Sequence, residues 1–142
     1  MSNASHIAFS GIPYVSGTAS APLLISDLEL SFWGGVNPQT GVVIDRHHPL
    51  SGQSLKGRIL ALPGGRGSCS GSGVLLETLV NGNGPAAVIT SRPDDIITLG
   101  VLVAQELFNQ SIPVITLSDS DFSRLLDFKH AAISGGTILC DN

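Results

Sequence analysis

Residues 60–73 (Leu-Ala-Leu-Pro-Gly-Gly-Arg-Gly-Ser-Cys-Ser-Gly-Ser-Gly) place five glycines, three serines and one arginine between two apolar stretches. The run before them, Arg58-Ile59-Leu60-Ala61-Leu62, reads as a buried strand. The run after them, Val74-Leu75-Leu76-Glu77-Thr78-Leu79-Val80, has a helical pattern. A strand, a glycine-rich turn and a helix start together suit an anion. Glycines let the backbone approach a ligand closely. The first turn of a helix offers unpaired N–H groups and a partial positive charge. Arg66 adds a planar fork that matches a carboxylate or phosphate. Ser68, between Arg66 and the helix, is placed to touch such a ligand.

Spacing excludes three common sites. A phosphate-binding P-loop requires a lysine that this run lacks, and the dinucleotide fingerprint fails where Ser70 stands in place of its last glycine. None of Ser68, Ser70 or Ser72 fits the Gly-x-Ser-x-Gly elbow of esterases. Ser68 itself suits two roles. A serine at a helix start caps an orphaned N–H, and the same amides would stabilise an alkoxide, as a serine acting as base requires.

Other reactive side chains read more plainly. His47-His48 precede Pro49-Leu50-Ser51-Gly52 with Asp45 as the one nearby carboxylate, and they read as hydrogen-bonded loop histidines rather than metal ligands. Cys69 has no evident base beside it and reads as a small, half-buried residue. Arg92-Pro93-Asp94-Asp95 reads as a solvated turn after a strand, with lining of the site as the alternative. Trp33, beside Gly34-Gly35, reads as core or interface.

Composition narrows the class. At 142 residues the chain fits one domain, 1–142, with a core that needs no staples. Hydrophobic residues make up 42% and charged residues 13%, with a mean hydropathy of +0.32. So dry a composition predicts a surface partly covered by a partner. Net charge is −4, the basic residues are scattered and aromatics are 5%, which argues against nucleic-acid binding. Two distant cysteines, Cys69 and Cys140, fit a reducing compartment and cannot alone hold a cluster or structural zinc. No signal peptide and no membrane-spanning run is read, so the expected location is cytoplasmic. Asn3-Ala4-Ser5 matches a glycosylation sequon that has no meaning there.

The elements that must position the loop follow from punctuation and periodicity. Strands are predicted at 12–16, 21–26, 30–33, 42–44, 59–62, 86–90, 114–117, 131–134 and 137–140, the last two joined across Gly135-Gly136. Helices are predicted at 69–80, 98–109 and 119–126, with Ser118-x-x-Asp121 as a capping box for the third. The middle helix sets Leu99, Leu102, Val103, Leu107 and Phe108 on one face, expected to pack on the sheet. The outcome is an α/β chain, β-rich first and then alternating strand and helix in three layers.

Three segments together resemble the small subunit of aconitase-X-type dehydratases: residues 47–60, the loop Pro63-Gly64-Gly65-Arg66-Gly67-Ser68, and Gly84-Pro85-Ala86-Ala87-Val88-Ile89. The resemblance covers nearly the whole chain, with the loop as its most specific part. It implies a swivelling β/β/α domain and a hydro-lyase half, inactive without its large subunit. That partner would carry an iron–sulfur cluster whose iron acts as Lewis acid on the leaving hydroxyl. It further implies Ser68 as proton acceptor, and Gly65, Arg66 and Gly67 as the cradle of a small carboxylate substrate. A lysine can stand at the Arg66 position in relatives, so the resemblance implies an anion ligand there rather than a reacting group. Members dehydrate cis-3-hydroxy-L-proline, the preferred reading, or 5-phosphomevalonate. Two rivals remain: a module that binds a small anion without chemistry, and a purely structural subunit. A phosphohistidine carrier is disfavoured because serine stands where such domains place histidine.

Overall fold

The structure, a computed structural model, describes residues 7–67 and 70–142. The sequon at Asn3, Ser68 and Cys69 lie outside the described residues. Among the described residues eight strands form one continuous mixed sheet: β1 (Ile7–Ser10), β2 (Ile12–Val15), β3 (Thr18–Ile25), β4 (Ile59–Ala61), β5 (Ala87–Thr90), β6 (Val114–Thr116), β7 (His130–Ser134) and β8 (Thr137–Asp141). Their order is β1-β8-β7-β3-β4-β5-β6-β2. The helical elements are α1 (Phe32–Gly35), α2 (Ser70–Val80), α3 (Asp95–Phe108) and α4 (Asp119–Ser123), with a 3-10 turn at Arg124–Asp127.

The eight-residue β3 joins two layers. Thr18 to Pro22 pair antiparallel with β7, whereas Leu23, Leu24 and Ile25 pair parallel with β4. Strands β3, β4, β5 and β6 run parallel, and β2 closes that edge antiparallel to β6. The flank β7, β8 and β1 is antiparallel. Period-2 alternation divides the core, because successive strand residues point to opposite faces. Leu60, Leu62 and Val88 face α2, α3 and the long loop. Ile59, Ala61, Ala87 and Ile89 face the antiparallel flank, Phe122 and Leu125. The result is a sheet between helices on one side and a second β layer on the other.

Helices α2 and α3 approach closely because small residues sit between them. A Cβ on Gly100 would stand 2.9 Å from the Ser72 carbonyl oxygen. Val101 and Ala104 share that buried face with Ile97. The predicted packing face of this helix is therefore corrected. Leu99, Leu102, Leu107 and Phe108 are exposed, Leu107 at 70%. The larger side chains point outward because the inner face must be small enough to meet α2.

Three further expectations are corrected. Residues 30–33 form no strand: Leu30 makes one isolated bridge to Gly65, and α1 follows, broken at Trp33 and Gly34. Residues 42–44 contribute only isolated bridges, from Val42 to Ser54 and from Val43 to Val36. The first strand, β1, went unpredicted; it pairs with β8 through Ile7 to Ser10. By contrast, the Ser118 cap stands as expected, with its hydroxyl accepting from Asp121 N–H at 3.2 Å.

Candidate functional site

The carboxyl ends of β3, β4 and β5, neighbours in the parallel sheet, feed one cleft. Ligands of open parallel sheets bind at such ends. The cleft has a volume of about 370 Å³. Asp27, Leu28 and Glu29 follow β3, Pro63 and Arg66 follow β4, and Arg92 follows β5. Asp45, His47 and His48 complete it from the long loop before β4.

Arg66 is exposed and lines this cleft, with no hydrogen bond or ion pair to its guanidinium among the described residues. Its backbone is fixed, because its N–H donates to the Leu30 carbonyl at 3.1 Å. Gly65 N–H is engaged as well, donating to Asp94 Oδ2 at 2.6 Å. Gly65 therefore serves the loop through its backbone placement and offers no free N–H donor. Gly67 holds φ +110°, a conformation that favours glycine. Its N–H has no partner among the described residues.

The paired histidines divide their roles. His48 is buried; its Nδ1 accepts from Leu50 N–H at 3.1 Å, so the ring proton sits on Nε2 and is donated to the Glu29 carbonyl at 3.1 Å. This is a structural histidine. His47 is exposed at the cleft, and its N–H donates to Asp45 Oδ1 at 2.9 Å.

The turn at Arg92 to Asp95 departs from expectation at Asp94. Asp94 is 8% exposed and caps α3, accepting from Ile97 N–H at 2.8 Å through Oδ1. Arg92 pairs with Glu29 and donates to the Gly65 carbonyl at 3.3 Å. Arg92, Pro93 and Asp95 are exposed as a solvated turn would be, while Arg92 also lines the cleft, the alternative expectation, and buried Asp94 frames the site. A signal was available: Asp94-Asp95 stand between Pro93 and the apolar pair Ile96-Ile97, an N-cap pattern. The carboxylates Asp27 and Glu29 also went unnoticed, for they become a site only when β3 runs parallel to β4.

Trp33 is 68% exposed, outside the core, and the Ser31 hydroxyl donates to its carbonyl at 2.9 Å. Ser72, one of the loop serines, is buried and donates to the Ile96 carbonyl at 2.7 Å, tying the first turn of α2 to that of α3. Cys140 is buried between β1 and β7, and burial first, then the Asp141 charge, pushes its thiol up to about 11. Among the described residues no group of three or more His, Cys, Asp or Glu is placed to hold a metal ion. They do not fit an iron–sulfur cluster. No helix among them is long and apolar enough to cross a membrane.

Comparison with known proteins identifies the family and supports the fold. The family model "Aconitase X swivel domain" matches residues 8–140. A cis-3-hydroxy-L-proline dehydratase of Hypocrea jecorina is 61% identical over 92% of this chain, which spans 22% of that protein's length. A phosphomevalonate dehydratase small subunit of Methanothermobacter thermautotrophicus is 40% identical over 78% of this chain and 80% of its own. The crystal structure of Thermococcus kodakaraensis aconitase X in its holo form superposes with a TM-score of 0.82 at 28% identity, covering 96% of this chain and 99% of that one. On a matching family model, high identity and a shared fold, the chain belongs to the aconitase X swivel-domain family.

Proposed function

We propose that this chain, acting as one domain over residues 1–142, is the swivel part of a two-part hydro-lyase that dehydrates cis-3-hydroxy-L-proline to Δ1-pyrroline-2-carboxylate. The observation that carries the reading is the 61% identity over 92% of the chain to a dehydratase of that name. The cleft supports it, because Arg66 and Arg92 lie there with Asp27, Glu29 and Asp45. Cations beside carboxylates complement an amino acid's own pair of charges.

In this reading Arg66 grips the substrate carboxylate, and Gly65 and Gly67 shape the backbone around it. Ser68, two residues before α2 in the sequence, accepts the proton from the carbon bearing the carboxylate. The hydroxyl on the neighbouring ring carbon departs and takes up the proton that Ser68 accepted, leaving as water, and the enamine left behind tautomerises to the pyrroline. Loop amides stabilise the serine alkoxide that takes the proton. The large partner carries the iron–sulfur cluster, the complex resides in the cytoplasm, and the chain alone is inactive.

A second reading, dehydration of 5-phosphomevalonate, draws on the 40% identity to a small subunit of that name and on the two arginines in the cleft. The test is to capture the chain anaerobically with its large partner and offer each substrate separately. Turnover of cis-3-hydroxy-L-proline to the pyrroline is expected. Preferential turnover of 5-phosphomevalonate supports the second reading. Turnover of neither, with tight carboxylate binding by the isolated chain, overturns both in favour of an anion-binding module.

A further inference from the structure

We propose that Asp94 is a positioning residue for the glycine loop, a clamp that fixes the backbone at Gly65 and so aims Arg66 into the cleft. Both peptide groups of Gly65 are held by side chains of the short link between β5 and α3. Its N–H donates to Asp94 Oδ2 at 2.6 Å, and its carbonyl accepts from Arg92 Nη2 at 3.3 Å. The opposite flank is held by backbone alone: Leu30 N–H donates to the Gly64 carbonyl at 3.4 Å, and the Leu30 carbonyl accepts from Arg66 N–H at 3.1 Å.

A helix cap does not explain this arrangement. Serine, threonine or asparagine would cap α3 with one oxygen. Asp94 uses one oxygen on Ile97 N–H and commits the other to the loop, 29 residues earlier in the chain. The approach is as close as a backbone permits. A Cβ on Gly64 would stand 2.7 Å from Asp94 Oδ2 and 2.8 Å from Arg92 Nη2, so the clamp explains why glycine occupies position 64.

Electrostatics sharpens the point. A buried carboxylate beside an anion site opposes anion binding unless its charge is engaged. Here both oxygens accept N–H groups and Arg92 stands alongside, itself paired with Glu29. The charge is spent on charge-assisted hydrogen bonds, which are shorter and stronger than neutral ones. Ser72 adds to the frame by tying α2 to the Ile96 carbonyl, one residue before the capped Ile97. The loop thus emerges from β4 against the joined first turns of two helices.

The role in catalysis rests on the dehydratase reading; the clamp itself does not. The test uses Asp94→Ser, which keeps an oxygen for Ile97 N–H and is too short to reach Gly65. Amide hydrogen exchange in the full chain is expected to show Gly65 protection falling at least about tenfold, with Ile97 changed by less than about threefold. In the complex with the large partner, kcat on cis-3-hydroxy-L-proline is expected to fall about tenfold or more, a loss that positioning of reacting groups can account for. Ser118→Ala removes the cap of α4, a hydrogen bond in which the loop takes no part, and serves as control. It should lower Tm with kcat unchanged. Asp94→Asn, which keeps the volume but loses one acceptor, takes the place of the serine variant if that does not fold. Retained Gly65 protection overturns the clamp. Lost protection with unchanged kcat overturns the positioning role. A wild-type complex without turnover defeats the dehydratase reading alone, and Gly65 exchange then decides the clamp.

Discussion

His48 donates its Nε2 proton to the Glu29 carbonyl at 3.1 Å, pinning the loop before β4 to the segment after β3. The second ring nitrogen accepts Leu50 N–H, so one buried side chain satisfies two backbone groups. His48→Ala leaves both unsatisfied and opens a void. The expected loss is about 2 kcal/mol of folding stability, read from urea unfolding. His47→Ala at the exposed neighbouring position should stay within about 0.5 kcal/mol of wild type.

Arg66 tests the cradle. Its guanidinium has no partner among the described residues and faces the cleft. Arg66→Ala is expected to raise KM for the carboxylate substrate about tenfold to a hundredfold, the loss of a charge-assisted contact. Arg66→Lys should recover part of it, since lysine keeps the charge and loses the fork. Equal KM values in all three proteins would remove Arg66 from the binding site.

Helix packing gives a matched pair of glycine substitutions. Gly100 meets the Ser72 carbonyl and Leu75, whereas a Cβ on Gly73 meets open space. Gly100→Val should cost about 2–3 kcal/mol by forcing α2 and α3 apart. Gly73→Ala should stabilise by about 0.5–1 kcal/mol, since glycine weakens a helix. Thermal or denaturant unfolding reads both.

Cys140 makes stability fall at alkaline pH. Burial raises its thiol from an ordinary value of 9.0 to about 11 in the folded chain. Between those values the unfolded chain has lost the proton that the folded chain keeps. Its contribution is therefore complete below pH about 9 and is lost as pH rises towards about 11, by up to about 3 kcal/mol. Cys140→Ala should flatten that part of the profile, measured by urea unfolding across the range.

The central parallel strands were legible because Ile59 to Ala61 and Ala87 to Ile89 are unbroken apolar runs between turns. The glycine loop was legible because nothing else in the chain concentrates glycine, serine and arginine so densely. What escaped was set by tertiary partners. The α3 face was misread because a helix that meets another helix buries Gly100 and Ala104 and leaves Leu107 outside. The β1 strand escaped because its pairing is with β8, at the far end of the chain. Asp94 escaped because its second oxygen acts on Gly65, a contact that no local pattern announces.

The central claim is that the loop of this swivel domain supplies the base for a dehydration. The most direct test is steady-state turnover of cis-3-hydroxy-L-proline by the chain complexed with its large partner, wild type against Ser68→Ala. The account predicts a fall of about 10²–10⁴-fold in kcat, the usual contribution of a positioned base, with the complex still assembled on gel filtration. Turnover by Ser68→Ala within about threefold of wild type would contradict it.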